Sequence, residues 1–217
     1  MVIGIDASRA NKGHKTGTEW YAYYLIRWLA KLDKTNQYIL YTDVPLKDSL
    51  LDLTTFQYDK QKKEEVKYDE DGFQIIKSNF NNFKGKVLKW PYKYFWTQGR
   101  LSLEMIFNRP DVLFIPSHTL PIIHPKNSIV TVHDVSFKKE QKLYEKGRGT
   151  KAMNFFVKLF TLGKYGANSM DYLCWATEYI LKNSKKVITV SNYSKNDIEK
   201  FYSINSDKVE IVYNGYN

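Results

Sequence analysis

The amino-acid sequence predicts an α/β domain, a doubly wound and mostly parallel sheet with helices on both faces. Three observations carry that expectation. Short apolar runs of strand length alternate with helical patterns, as they do when strands are joined through crossover helices. Run after run is closed by polar residues: Asp6, Asp43, Ser117 with His118, His133 with Asp134, Ser191 with Asn192, and Asn214. A length of 217 residues, 43% of them hydrophobic and 16% aromatic, suffices for one generous domain with a real core.

Val2-Ile3-Gly4-Ile5-Asp6 reads as a short buried strand ending in a carboxylate. A loop rich in glycine and polar groups occupies residues 10–17. A helix over about 18–32 follows, with Thr18 as its N-cap and Tyr21, Leu25, Trp28, Leu29 and Leu32 on its apolar face. Residues 38–42 form the next strand. The stretch over 59–71 is almost all charged and reads as an exposed loop or hairpin, with a strand over 73–76 after it. A second helical region over about 92–107 carries Phe95, Leu103, Ile106 and Phe107. Residues 111–115 and 128–132 are continuous apolar strands. A basic, mostly helical insertion covers about 138–183. A strand over 186–190 leads to a short helix near Ser194, where Ser194-Lys195-Asn196-Asp197 resembles a capping box. A strand over 209–213 completes the set. There is no internal repeat and no Gly/Ser/Pro linker, so residues 1–217 read as a single domain.

The formal net charge of +10 favours anionic partners: nucleic acid, an acidic membrane surface or phosphorylated small molecules. The basic residues are scattered, without zinc-finger spacing or a sustained basic helix, so nucleic acid is not the expected partner. Cys174 is the single cysteine. One thiol makes neither an internal disulfide nor a thiolate-rich metal site, which fits a reducing cytoplasm, and its apolar neighbours predict burial. The chain opens directly on a strand, unlike a secretory signal. No apolar run approaches the roughly 20 residues that span a bilayer. Within the insertion, lysines such as Lys142, Lys146, Lys151 and Lys158 flank the apolar Phe155, Phe156, Leu159 and Phe160. That mixture suits an interfacial helix on anionic lipid. Ordinary packing with the lysines in water is the plainer reading.

In an open parallel sheet the strand C-termini share one rim, and ligands bind in the crevice there. Any single polar residue at a strand end is explained as well by wet loops. Two of the four histidines, His118 and His133, close buried strands, which favours a site. In the first loop, Gly13 and Gly17 let backbone amides approach a ligand, and a helix N-terminus near Thr18 attracts an anion. The loop matches neither G-x-G-x-x-G nor a Walker A sequence, and a plain surface turn fits equally. Asp69-Glu70-Asp71 has the D-x-D form of a metal site but lies in a charge run without a strand to order its carboxylates, so no metal is expected.

Taken in order, Ile3-Gly4-Ile5-Asp6-Ala7, Lys15-Thr16-Gly17-Thr18, Asp111-Val112-Leu113-Phe114, Ser117-His118-Thr119-Leu120-Pro121, Val130-Thr131-Val132-His133-Asp134, Val187-Ile188-Thr189-Val190-Ser191 and Ile211-Val212-Tyr213-Asn214-Gly215 resemble the family 4 glycosyltransferases. The similarity is to their N-terminal domain and spans essentially the whole chain. It implies one half of a GT-B architecture, in which two Rossmann-like domains face each other across a cleft. The implied reaction moves a hexosyl unit, with retention, from a nucleotide-sugar co-substrate to a glycan or lipid-linked acceptor, without cofactor or essential metal. By motif, His133 is the implied catalytic residue beside the transferred sugar. Gly17 and Thr18 are implied near the donor diphosphate, His118 and Asp134 along the same cleft, and Asn214 and Gly215 at the hinge. The donor-binding C-terminal domain is expected to be missing from this chain, to be supplied in cis or in trans, and to be needed for activity. The implied location is cytoplasmic, peripheral at the inner face of the membrane. The alternative is a non-catalytic module for a phosphorylated ligand, a glycan or an anionic membrane surface.

Overall fold

A computed structural model describes residues 1–55, 65–91, 95–139, 158 and 169–215. Among them the fold is α/β and mostly parallel, as the sequence predicts. The strands are β1 (Val2–Asp6), β2 (Gln37–Thr42), β3 (Gln74–Ile75), β4 (Phe83–Val87), β5 (Val112–Ile115), β6 (Ser128–Thr131), β7 (Lys186–Thr189) and β8 (Val209–Ile211). The helices are α1 (Gly17–Leu32), α2 (Ser102–Phe107), α3 (Ser169–Asn183) and α4 (Asn192–Tyr202). The hydrogen-bonded strand order is β3-β4-β2-β1-β5-β6-β7-β8. Contacts divide the chain into two compact units, Met1–Ser117 with Pro121–Ile129, and His118–Leu120 with Val130–Asn217.

In the first unit β1 pairs in parallel with β2 on one side and β5 on the other, β2 pairs in parallel with β4, and the short β3 runs antiparallel to β4. Ile5, Leu40, Leu113 and Ile115 are fully buried, as continuous apolar strands covered on two faces should be. Gly4 admits no larger residue, because a Cβ there would come within 2.6 Å of the Tyr41 ring and 2.9 Å of Pro110. β4 is absent from the sequence reading. Its Phe83-Lys84-Gly85-Lys86-Val87 pattern buries Phe83 and Gly85 and exposes Lys84, so its alternation hides behind a glycine and two lysines. Phe83 stacks on Tyr38 at 4.3 Å between centroids. The expected hairpin is present over residues 67–75, where the N–H of Ile75 bonds the Lys67 carbonyl and Gly72 adopts a positive φ. Residues 59–64 of that charged stretch lie outside the described residues.

Helix α1 corrects the sequence reading in its face. The buried residues are Glu19, Ala22, Tyr23, Ile26, Arg27 and Ala30, whereas Trp28 and Leu32 are exposed. Two alanines allow close approach, and the two terminal nitrogens of the buried Arg27 donate to the carbonyls of Ser49 (2.5 Å), Asp52 (3.1 Å) and Thr55. A guanidinium with such partners is tolerated in a core, and hydrophobic periodicity does not detect it. The second helical region begins with a π-helical turn, Trp96–Leu101, that leads into α2. Phe95, Leu103, Ile106 and Phe107 are exposed there, while Leu101 and Met105 are buried with Glu104, which Lys86 (2.6 Å) and Arg100 (3.3 Å) neutralise.

In the second unit β7 and β8 pair in parallel. Helix α3 buries Cys174, Ala176, Thr177, Ile180 and Leu181. With Lys138, Lys139 and Lys158 it makes up the described part of the expected insertion; residues 140–157 and 159–168 lie outside the described residues. Helix α4 starts before the expected Ser194. Its cap is Ser191, whose hydroxyl accepts the Ser194 N–H at 3.0 Å.

Candidate active site

The strand order of the first unit reverses at β1, since α1 carries the chain from β1 to β2 on one side while β5 pairs on the other. That is where open α/β sheets bind ligands. Asp6, the last residue of β1, is 2% exposed. Burial pushes its carboxyl pKa up, against hydrogen bonds from the Ser8 N–H at 3.0 Å and the Trp96 indole at 3.4 Å and the charge of Arg9. Trp96 opens the π-helical turn, and Phe95 before it sits at a φ of 65°, an uncommon conformation for a bulky residue. The strand-ending Asp6 is therefore a buried acid held by an indole 90 residues away.

Gly17 is the first residue of α1, exposed, and a Cβ there would meet nothing within 4 Å. No steric demand of the fold asks for glycine at this position. The N-cap is Thr16 rather than Thr18, because Glu19 at the third helical position closes a capping box on it. The Glu19 carboxylate accepts the Thr16 N–H at 3.2 Å, the Thr16 hydroxyl and the Thr18 hydroxyl at 3.3 Å, and pairs with Arg9 (3.2 Å) and Lys12 (3.6 Å). Burial acts to raise its pKa, but the Thr16 and Arg9 hydrogen bonds outweigh it and hold the group at about 2. The helix N-terminus thus already carries one anion, with two cations around it.

A depressed carboxylate stabilises the fold above its ordinary pKa of 4.5, and that contribution is lost as pH falls toward about 2. Glu19→Gln keeps the capping geometry and removes the charge. It should cost about 1 kcal/mol at neutral pH, a difference that disappears near pH 2 in chemical denaturation; an equal cost at both pH values would assign the effect to packing.

In the second unit, the His118 ring faces Thr177 and Phe137, with Nε2 2.5 Å from the Thr177 hydroxyl and the Phe137 ring edge-on at 5.7 Å. Thr177 donates its single hydroxyl proton to the Leu173 carbonyl at 2.7 Å. The short contact to His118 therefore requires Nε2 to donate, which makes the neutral ring the Nε2–H tautomer and leaves Nδ1 as an acceptor. Burial pushes the His118 pKa down to about 4; the Asp134 charge opposes that and the His133 charge adds to it. His133 is half-buried just past β6, and its main-chain carbonyl accepts the Thr189 hydroxyl at 3.5 Å. Asp134 is exposed and folds the following turn, accepting the Ser136 N–H at 2.9 Å and its hydroxyl at 2.6 Å. The second unit thus brings together His118, His133 and Asp134. Gly17 and Thr18 belong to the first. Asn214 and Gly215 lie exposed beyond β8.

The family model of Glycosyltransferase Family 4 matches residues 15–217. The chain belongs to glycosyltransferase family 4. It is also 23% identical, over 143 residues, to the O-antigen chain mannosyltransferase RfbU of Salmonella typhimurium (strain LT2), an alignment covering 66% of this chain and 33% of that relative. The chain thus spans about a third of the length of the curated relative it matches.

Within this family 4 domain, no group of three or more His, Cys, Asp or Glu side chains among the described residues could hold a metal ion. Asp69 of the D-x-D sequence accepts Lys84 Nζ at 3.0 Å and the Phe73 N–H at 2.8 Å in its hairpin. No helix among the described residues is long and apolar enough to cross a membrane. Sequence reasoning missed Thr16, Glu19, Trp96 and Thr177. Thr16-x-x-Glu19 is a readable capping signature, whereas Thr177, 59 residues from His118, leaves no local signal.

Proposed function

We propose that this domain is the acceptor-side half of a retaining glycosyltransferase, which moves a hexosyl unit from a nucleotide-sugar to a glycan or lipid-linked acceptor. The family match over residues 15–217 carries the reading, and the likeness to an O-antigen chain mannosyltransferase makes mannose the first sugar to test. In this proposal the donor diphosphate lies at Gly17 and Thr18, where the exposed Gly17 opens α1, and it competes with Glu19 for Arg9 and Lys12. The leaving diphosphate gains negative charge in the transition state, and preorganised amides and cations stabilise it at that moment. His133 positions the transferred sugar, and His118 and Asp134 line the acceptor side. The neutral His118 offers Nδ1 as an acceptor for a sugar hydroxyl. Donor binding requires a second, nucleotide-holding domain, either in cis beyond an Asn214-Gly215 hinge or supplied in trans. The setting is the cytoplasm, with peripheral contact at an anionic membrane face.

Transfer assays with a panel of nucleotide-sugars, with the anomeric configuration of the product read by NMR, test the reaction and its stereochemistry. Gly17→Ala is the sharpest probe of the donor contact. Alanine is the better helix former and meets no atom at this site, so the fold should hold or gain slightly. The donor KM should rise about tenfold, as the methyl group blocks close approach of the diphosphate. A variant with unchanged donor kinetics would remove Gly17 from the site.

A further inference from the structure

Asp6 ends β1 at the switch point of the first unit, and the transfer proposed above gives it no task. It is 2% exposed, and among the described residues no cation forms an ion pair with it; Arg9 acts on it from farther away and pairs with Glu19 at 3.2 Å. A carboxylate has about four acceptor positions. Oδ1 takes both the Ser8 N–H at 3.0 Å and the Trp96 indole N–H at 3.4 Å. The Ser8 hydroxyl is the one other donor that acts on the group, so at least one position on Oδ2 stays open. Enclosing a carboxylate with no cation and an unfilled acceptor is costly. An asparagine would serve the fold as well, since its single carbonyl oxygen can accept both N–H groups.

The indole reaches Asp6 through a strained backbone. Phe95, at a φ of 65°, turns the chain into the π-helical turn that Trp96 opens. The Gly99 N–H bonds the Phe95 carbonyl at 2.7 Å, and a Cβ at Gly99 would come within 2.9 Å of the Trp90 ring. Strain of this kind persists where the surrounding structure imposes it, and it gathers at sites that bind. The open acceptor position calls for a donor. A hydrated cation would need several oxygen ligands, and no metal-holding group occurs among the described residues. An anion would be repelled. A neutral hydroxyl supplies one proton to one oxygen, and hydrogen bonds from O–H to a carboxylate are short and strong.

We propose that Asp6 is a sugar-binding residue whose Oδ2 accepts a hydrogen bond from a hydroxyl of the sugar substrate. The choice of a sugar rests on the transferase reading; the binding itself is measurable without turnover. The Trp96 indole N–H shares the carboxylate and serves as reporter. In ¹H–¹⁵N spectra of the full chain, titrated with a panel of methyl hexopyranosides and nucleotide-sugars, its cross-peak should shift saturably. A shift with a methyl glycoside assigns the hydroxyl to the acceptor, and one with nucleotide-sugars alone assigns it to the donor hexosyl group. Asp6→Asn keeps Oδ1 for Ser8 and Trp96 and replaces the open oxygen by an NH2 group. It should weaken binding about 30-fold, the scale of a hydrogen bond to a charged group. Its melting temperature should hold or rise, because an enclosed charge without a cation is gone. Asp33→Asn is the control. Asp33 caps the far end of α1 and accepts from Asn36 and Tyr38 at 2.6 Å each, so its loss should lower the melting temperature and leave sugar affinity unchanged. No saturable shift with any sugar, or equal affinity in Asp6→Asn, would overturn the site. A fall of both affinity and melting temperature in Asp6→Asn would make the residue structural and overturn it too. A saturable shift in a protein that transfers no hexosyl unit would instead remove the transferase reading and leave sugar binding at Asp6.

Discussion

Replacing His133 with alanine should lower kcat/KM for sugar transfer by about 100-fold, the scale for loss of one preorganised polar group at a reacting centre, while the domain remains folded. The second half of that expectation comes from how the residue is held. The chain at His133 is fixed through its main chain, whose carbonyl takes the Thr189 hydroxyl at 3.5 Å, and by the hydrogen bond from the Val132 N–H to the Ile188 carbonyl at 2.8 Å. Alanine keeps both. The first half follows from the proposed role beside the transferred sugar. If the ring acts chiefly on charge developing at the anomeric centre, kcat falls and the donor KM changes little; if it grips the ground-state sugar, KM rises instead. Asp134→Ala is the informative companion, because it releases the Ser136 N–H and hydroxyl, at 2.9 and 2.6 Å, and so disturbs the turn itself. Its melting temperature should drop where that of His133→Ala does not. Initial rates over a range of donor concentrations decide the matter, and a His133→Ala enzyme within threefold of wild type would end the assignment of this histidine to the reaction.

The strands were legible in the sequence where burial on two faces demands continuous apolar residues. β1, β5, β6, β7 and β8 all fall inside the predicted runs, shifted by a residue or two at their ends. β4 was not legible, because a strand with lysines alternating against Phe83 and Gly85 looks like a polar loop. The same limit explains the face of α1. Periodicity follows the large side chains Trp28 and Leu32, while the face that packs is made of Ala22, Ala30 and a fully buried Arg27 whose three carbonyl partners lie beyond the helix. Site residues were visible where strand ends announce them, as with His118 and His133. What positions them was not. Trp96 reaches Asp6 from a π-helical turn, and Thr177 reaches His118 from α3, through contacts that depend on the tertiary fold and have no sequence period.

Acidification from about pH 6.5 to about pH 4 should destabilise the domain, and His118→Gln should remove that part of the loss. The native ring is held neutral, its pKa pushed down to about 4 by burial, while in the unfolded chain it protonates near 6.5. Within that window the unfolded state binds a proton that the native state refuses, so stability present above 6.5 is lost as pH falls. The shift corresponds to at most about 3 kcal/mol, reduced by whatever solvent reaches a half-buried ring. Glu19 contributes at lower pH, between 4.5 and about 2, so the two contributions separate along the pH axis. Thr177→Val tests the cause. Without an acceptor for Nε2–H the ring loses the partner that selects its tautomer, and its ¹⁵N shifts should move toward a mixture of the Nε2–H and Nδ1–H forms. Restoration of the wild-type shifts by Thr177→Ser, which keeps the hydroxyl and drops the methyl group, would place the selection in the hydrogen bond. A His118 that titrates near 6.5 in the native protein would show that the ring meets water, and the fixed acceptor at Nδ1 would go with it.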